Sequence, residues 1–234
     1  MTPILIYSPG AYGTSLLAHT FRLCGMDYGK ATHGWKDSFY YHLQRSDVEA
    51  AMESRNDLYV GAVLDSYNQL ACDFSGMKLG HFRRDTWEFL NPLLKQYWPD
   101  CKKFMNIRHP WETKMKIILR ESKGIKGKTV QIDDLIDSFN FQLELIGEHD
   151  FKAIVYPDSW DNTRIMQIVK DIGLAFNHDV YAGDMWEVDS PDENNTKHFI
   201  WDKPTRASQE DKDRFEVEEP ELHDKYMEIL ELAM

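Results

Sequence analysis

The chain has 234 residues, 42% of them hydrophobic, which is enough for one domain with a sizeable core. Its formal net charge of −12 argues against general nucleic-acid binding, because contact with a phosphate backbone requires a basic face. No segment approaches the roughly 20 consecutive apolar residues that cross a bilayer, so we expect no membrane span.

Short apolar runs alternate with amphipathic segments along the chain, a pattern typical of an α/β fold. Turn or charged residues bound the apolar runs, which predicts buried strands of a parallel sheet with helices on both faces. In chain order we predict strand Ile4–Tyr7, helix Thr14–Leu23, strand Leu58–Leu64, helix Thr86–Gln96, strand Phe104–Ile107, helix Trp111–Arg120, helix Ile132–Glu148, strand Ala153–Tyr156 and helix Asn162–Ile172.

Capping residues support several helix ends. Asp133 and Asp134 can accept N–H bonds at the start of the long helix. Pro110 suits a first helical turn, and Gly173 suits a left-handed stop.

The C-terminal part of the chain is polar and strongly acidic. Residues 183–206 predict a long polar loop, because Asp and Asn are interspersed there with Pro and Ser. The segment Ser208–Asp211 resembles a capping box, and Pro220 can open a final helix that reaches Leu232. We therefore expect a single domain over residues 1–234, with a helical acidic tail at 207–234.

The first seventeen residues carry the strongest functional signal. An apolar strand runs into a turn that contains glycine and hydroxyl residues, and an apolar helix follows. Glycine lets the backbone approach an anion, and a helix N-terminus offers unpaired N–H groups, so this pattern predicts a phosphate-binding loop. The residues predicted to bind phosphate are Gly10, Ala11, Tyr12, Gly13, Thr14 and Ser15.

This loop differs from that of nucleoside triphosphatases. Their pattern ends in Gly-Lys-Ser/Thr, whereas here Thr14 follows Gly13 in the place of the lysine. The missing lysine argues against ordinary ATP chemistry.

A second signal surrounds Arg108, which ends a predicted strand and is followed by His109 and Pro110. Nine lysine and arginine residues lie between Lys102 and Lys128, and we expect this excess to surround a phosphate-binding arginine.

Taken together, these motifs resemble the sulfotransferase family, in the right order over most of residues 3–174. The resemblance implies a P-loop-like fold that binds 3′-phosphoadenosine 5′-phosphosulfate (PAPS) and its product adenosine 3′,5′-bisphosphate (PAP). It further implies that the loop holds the 5′-phosphosulfate and that Arg108 grips the 3′-phosphate. Lys116 stands where the family has a serine that also binds this phosphate, and lysine can serve as a point charge there.

The resemblance has one consequential departure at Ala11, where the family has a lysine or arginine beside the sulfuryl group. Another cation must then reach that group. The candidates are Lys36, Lys78, Arg83 and Arg84.

Sulfuryl transfer requires a general base, because the acceptor loses a proton as its oxygen or nitrogen attacks. The candidates are His33, in a loop that lines the acceptor pocket in relatives, His81, and Asp65 at the end of the strand predicted over Leu58–Leu64. The histidines show no metal-binding spacing, and the family chemistry needs no metal, so we predict no metal site.

We therefore expect a sulfotransferase that acts on a hydroxyl or amine of a small molecule, glycan or lipid. Two alternatives remain: a catalytically silent nucleotide-binding protein of the same fold, and an atypical P-loop kinase that binds ATP with magnesium. The three widely spaced cysteines and the lack of a basic region before the first apolar run favour a soluble, cytoplasmic protein.

Overall fold

The computed structural model describes residues 1–9, 14–29, 45–80, 83–122, 134–156, 162–175 and 207–233. The elements in these ranges are β1 (Thr2–Tyr7), α1 (Thr14–Leu23), α2 (Ser46–Glu53), α3 (Asp57–Asn68), β2 (Phe74–Leu79), α4 (Arg84–Tyr97), β3 (Lys102–Arg108), α5 (Pro110–Ser122), α6 (Leu135–His149), β4 (Phe151–Tyr156), α7 (Asn162–Ile172), α8 (Gln209–Glu218) and α9 (Pro220–Ala233). None of these helices is long and apolar enough to cross a membrane.

The four strands form one sheet in the order β2-β1-β3-β4, and every neighbouring pair is parallel. The predicted α/β class is therefore confirmed.

The two faces of the sheet are covered by different helices. Leu5 and Tyr7 of β1 lie in a large core to which α2, α3, α4, α6 and α9 contribute, and we call this side the α4 face. Ile4 and Ile6 lie in a smaller core with α1 and α7, which we call the α1 face. Side chains alternate between the two faces along a strand. Within each strand, every second residue therefore lies on the same face, which assigns the remaining strand residues to the α4 face or the α1 face.

The strand predicted over Leu58–Leu64 is wrong, because these residues belong to helix α3. Val60, Leu64 and Tyr67 are buried at helical spacing, whereas Leu58 is 82% exposed. The side chain of Asn56 accepts a hydrogen bond from the Tyr59 N–H at 3.0 Å and caps the helix. The apolar run thus reflects a helix with one buried side.

Strand β2, which the sequence did not predict, takes the place of the misassigned strand in the sheet. It contains Ser75, Gly76 and Lys78, which interrupt any apolar run although Ser75 and Lys78 are both buried.

The helix predictions agree well with the structure. Helices α1 and α7 have the predicted bounds, Gly173 has a φ of 93°, and Ser208 forms the predicted capping box with Asp211. Asp134 precedes α6 but its side chain makes no capping hydrogen bond. Asp133 and the loop predicted at 183–206 lie outside the described residues.

Two adjacent lysines of β3 cap helices on opposite faces of the sheet. The Lys102 ammonium donates to the carbonyl of Ile172 at 2.8 Å, and that of Lys103 donates to the carbonyl of His149 at 3.0 Å. These carbonyls end α7 and α6, where cations are favourable. Both lysines lie at the amino end of β3, away from Arg108, so the expectation that the basic excess surrounds Arg108 is wrong for them.

Candidate functional site

The strand order reverses between β1 and β3. From β1 the chain crosses to β2 on one side, then returns to place β3 on the other side of β1. The connections therefore diverge above the carboxyl ends of β1 and β3, and open α/β sheets bind ligands at this point. Arg108 ends β3 there, as predicted, and α1 begins at Thr14 after the loop that leaves β1.

A serine side chain joins the two central strands at this edge. The regular pairing of β1 with β3 runs from Ile4 to Ile6. Beyond it, the Ser8 hydroxyl donates to the Asn106 carbonyl and accepts from the Asn106 N–H, both at 3.1 Å. The hydroxyl thus replaces a peptide group in the ladder, and the backbone is able to turn away from the sheet immediately after Ser8.

Only part of the predicted phosphate loop belongs to the described residues. Thr14, the first residue of α1, is 7% exposed, and the backbone of Ser15 is helical. Gly10, Ala11, Tyr12 and Gly13 lie outside the described residues. The first turn of α1 follows the loop at the carboxyl edge, where its N–H groups favour an anion.

Arg108 is buried and paired with Glu112, one helical turn further along. Its Nε lies 3.4 Å from Glu112 Oε2, and the two side chains are 3% and 1% exposed. The second Glu112 oxygen, Oε1, accepts a hydrogen bond from the Ala207 N–H at 2.9 Å. One carboxylate therefore connects the end of β3 to the residues that precede α8.

His109 connects the same region to the C-terminal helices. Its ring packs edge-to-face on Phe215 of α8 and Tyr226 of α9, with centroids 5.5 and 4.9 Å away. Its Nδ1 accepts a hydrogen bond from the Trp111 N–H at 3.2 Å at the start of α5, which leaves Nε2 as the donor nitrogen of the neutral ring. His109 thus acts as a structural contact between α5, α8 and α9.

Lys78 brings a second buried cation to the carboxyl edge. It pairs with Ile6 in the β1–β2 register and is 4% exposed, and its parity assigns it to the α1 face. Burial lowers the pKa of Lys78 to about 8, although the nearby Glu49 carboxylate opposes this shift. Ser8, Asn106 and Arg108 share this face by the same alternation, so polar groups replace the apolar core at the carboxyl edge.

The other candidate cations are placed differently. Arg83 is 58% exposed and pairs with Asp85 at 3.3 Å. Arg84 pairs with Glu144 and lies over the Phe141 ring, 5.1 Å from its centroid, on the α4 face. Lys36 lies outside the described residues. Among the candidates that the structure describes, Lys78 alone is a buried cation on the α1 face.

Of the three candidate bases, only Asp65 belongs to the described residues. Asp65 lies on the exposed side of α3 and accepts a hydrogen bond from the Gln69 side chain at 3.4 Å. It does not follow a strand, so the reason for choosing it as a base is lost. His33 and His81 lie outside the described residues, as does the side chain of Lys116, whose backbone belongs to α5.

Residues 30–44 carry His33 and Lys36. On the two sides of this segment, Tyr28 and Arg45 both form hydrogen bonds with the hydroxyl of Tyr67. Tyr67 Oη donates to the Tyr28 carbonyl at 2.7 Å and accepts from Arg45 Nη1 at 3.1 Å. The Arg45 guanidinium is fixed by two further bonds to the Asp47 carboxylate, at 2.8 and 2.6 Å. This network sets where the segment leaves and rejoins the described structure.

In the described part of the chain, one group of side chains has atoms close enough for a metal ion: Glu144, Glu148 and His149 on α6. Glu144 already pairs with Arg84, and burial lowers the pKa of His149. A guanidinium therefore competes for one of the three ligands that a metal ion would use here.

Sequence reasoning missed the buried polar partners of the site, namely Ser8, Asn106, Glu49 and Glu112. Asn106 offered a signal, because it interrupts an otherwise apolar strand. Glu112 offered another, at helical spacing from Arg108. The chain gives no match to protein-family models or to curated proteins.

Proposed function

We propose that this protein is a sulfotransferase-like enzyme that binds PAPS and transfers its sulfuryl group to a hydroxyl or amine acceptor. One observation carries the proposal: the strand after which the glycine-containing loop begins lies beside the strand that Arg108 ends, where the strand order reverses. Two phosphate-binding signals roughly 95 residues apart in sequence therefore share one edge of the sheet.

The residues at this edge suit an anionic donor. In the proposed arrangement, the loop N–H groups, Thr14 and Ser15 hold the phosphosulfate, and Arg108 binds the 3′-phosphate. Lys78 supplies positive charge on the same face and is the described residue best suited to replace the cation missing at Ala11. When bound, PAPS supplies the sulfuryl group, and the bond between sulfur and the 5′-phosphate oxygen breaks as the acceptor attacks.

A base must take the acceptor proton in this reaction. His33 and His81 remain the candidates. The acceptor class remains the one expected from the resemblance, a small molecule, a glycan or a lipid.

Ala11 favours a second candidate function, a nucleotide-binding protein without turnover. Such a protein would bind PAP tightly yet release none from PAPS. We expect Ala11→Lys to create or increase PAP release from PAPS if Ala11 is the cause, whereas Lys78→Met should reduce the release if Lys78 has replaced the missing cation.

The proposal is tested by titration calorimetry with PAP, beside ATP with magnesium. Arg108→Ala alone is a poor variant, because it leaves Glu112 as an uncompensated buried charge, which typically costs about 3–5 kcal/mol of stability. The informative series is wild type, Glu112→Gln, and Glu112→Gln combined with Arg108→Met. The glutamine keeps an oxygen for the Ala207 N–H. Because Glu112→Gln alone leaves the buried Arg108 guanidinium without its counter-charge, the deciding comparison is wild type against the double variant, which loses both charges.

We expect wild type and Glu112→Gln to bind PAP. Adding Arg108→Met should weaken binding roughly 30-fold, because a hydrogen bond to a charged group contributes about 2 kcal/mol. Equal PAP affinity with and without Arg108 would overturn this assignment. Binding of ATP with magnesium but not PAP would favour the kinase alternative.

A further inference from the structure

The ion pair between Arg108 and Glu112 has a property that a simple phosphate site does not need. An arginine that binds phosphate usually faces solvent or a ligand cavity in the absence of the ligand. The side chains of Arg108 and Glu112, in contrast, are both almost completely buried. The pair neutralises a buried guanidinium, and Glu112 therefore occupies the electrostatic position of an anion.

We infer that Glu112 is an internal counter-ion that competes with a bound phosphate for Arg108 and thereby links phosphate binding to the start of α8. The inference rests on the proposed function, because it takes Arg108 as a phosphate ligand. It assigns Glu112 a regulatory role in that site.

The competition follows from charge. A phosphate at Arg108 places a second anion beside the same guanidinium, and like charges within a few ångströms destabilise each other strongly where water is excluded. The contact of 3.4 Å between Nε and Oε2 is longer than a well-formed charge-assisted hydrogen bond, so this contact lacks the geometry of a strong salt bridge. Phosphate binding should therefore loosen Glu112 from Arg108.

The link to α8 follows from the second carboxylate oxygen. Glu112 Oε1 accepts the Ala207 N–H at 2.9 Å, so a carboxylate that moves takes this bond with it or breaks it. The remainder of α8 is held independently, by the His109–Phe215 ring contact and by the Lys114–Glu219 pair. The predicted change is thus confined to the residues just before α8.

The chain offers a matched control in Glu219. It lies at the contact between α5 and α8, pairs with Lys114 of α5 and does not contact Arg108 in the described structure. Glu112→Gln and Glu219→Gln each remove one negative charge from this region, and each keeps an acceptor oxygen. Only the first removes the competitor for Arg108.

The test combines affinity and amide exchange, with PAP and inorganic pyrophosphate as probes. We expect Glu112→Gln to bind one or both probes about tenfold more tightly than wild type, because a neighbouring charge typically shifts an ionic equilibrium by a factor of ten or more. Glu219→Gln should stay within twofold of wild type. In wild type, saturating probe should accelerate hydrogen exchange of the Ala207 amide, and in Glu112→Gln it should not.

Three outcomes separate the inference from the proposed function. If PAP binds but the two variants have equal affinities and the Ala207 exchange does not respond, the inference is overturned and the proposed function stands. If pyrophosphate alone binds and Glu112→Gln tightens it, the inference holds and PAP is not the donor product. Failure of both probes to bind any of the three proteins overturns both.

Discussion

Lys78 places an ionisable group inside the protein at the carboxyl edge of the sheet. Burial lowers its pKa from 10.5 to about 8, because the charged form loses its hydration, and Glu49 restores part of the loss. The residue therefore stores an unfavourable free energy, a feature that clusters at functional sites and also occurs in structural ion-pair networks.

Lys78 should make stability depend on pH. Between about pH 8 and 10.5 the unfolded chain binds a proton that the folded protein has lost, so the free energy of unfolding rises with pH in this window. Below pH 8 both states are protonated, and the full cost of burial, about 3 kcal/mol, is present. We expect urea unfolding to show a rise of about 1 kcal/mol between pH 8.5 and 9.5 in wild type.

Lys78→Met should remove this rise. Lys152→Met is the matched control, since Lys152 is an exposed lysine on β4, and it should keep the wild-type slope. Parallel pH profiles for wild type and Lys78→Met would show that Lys78 is protonated equally in both states.

At the scale of elements, the spacing between β1 and β2 depends on one glycine. A Cβ added to Gly76 would lie 2.0 Å from the carbonyl oxygen of Ile4 and 2.3 Å from the Met26 methyl group. The first neighbour is backbone inside the sheet, which cannot move without separating the two strands. The close approach also lets Asp27 pair with the outer edge of β2 through the Gly76 N–H.

Gly76→Ala should therefore destabilise the protein by about 3 kcal/mol, because overpacking against fixed backbone is costly. Gly147→Ala is the control: Gly147 lies exposed on α6, a Cβ there meets nothing within 4 Å, and alanine favours a helix by about 1 kcal/mol. In thermal unfolding, the midpoint temperature of Gly76→Ala should fall below that of wild type, and that of Gly147→Ala should rise above it. A Gly76→Ala protein as stable as wild type would contradict the tight strand spacing.

The same elements explain what the sequence could predict. Helices α1 and α7 were found at their exact bounds because apolar periodicity, a strand before each helix and terminal signals agreed. Strand β2 was missed because Ser75, Gly76 and Lys78 are polar or small for reasons of packing and charge that only the neighbouring elements reveal. The apolar run in α3 has the composition of a strand, because the exposed Leu58 extends the run beyond the buried side of the helix.

The candidate site was predictable in outline only. Arg108 was placed at the carboxyl end of a strand by its position after an apolar run. The sequence did not predict the pairing of Arg108 with Glu112 or the hydrogen bond between Glu112 and Ala207. The second contact joins residues that are 95 positions apart in the chain. Such contacts depend on the whole topology.

At the scale of the whole molecule, the acidic C-terminal helices are part of the core. Phe215, Leu222, Tyr226 and Ile229 are all buried within the α4 face. Each contributes about 1.5–3 kcal/mol by burial, so the four together contribute about 6–12 kcal/mol, which is comparable to the 5–15 kcal/mol net stability of a typical domain.

Deletion of residues 207–234 should therefore abolish cooperative unfolding. We expect the shortened protein to bind a hydrophobic dye and to lose its near-ultraviolet circular dichroism. Val217→Ser on the 81% exposed position of α8 is the control, and it should unfold like wild type. A truncated protein with a sharp thermal transition would mean that the sheet and the remaining helices suffice.

Because β1 lies between β2 and β3, it must wait for both later strands to be synthesised before it can pair on both edges. β1 leaves the ribosome before either neighbour, and about 100 residues separate it from the end of β3. At typical elongation rates this interval lasts roughly 5–20 s, during which both edges of an apolar strand lack their native partners. The strand order that makes the connections diverge above β1 and β3 thus has a cost during synthesis. The exposed edges of β1 must be kept from pairing with other strands until β3 has emerged.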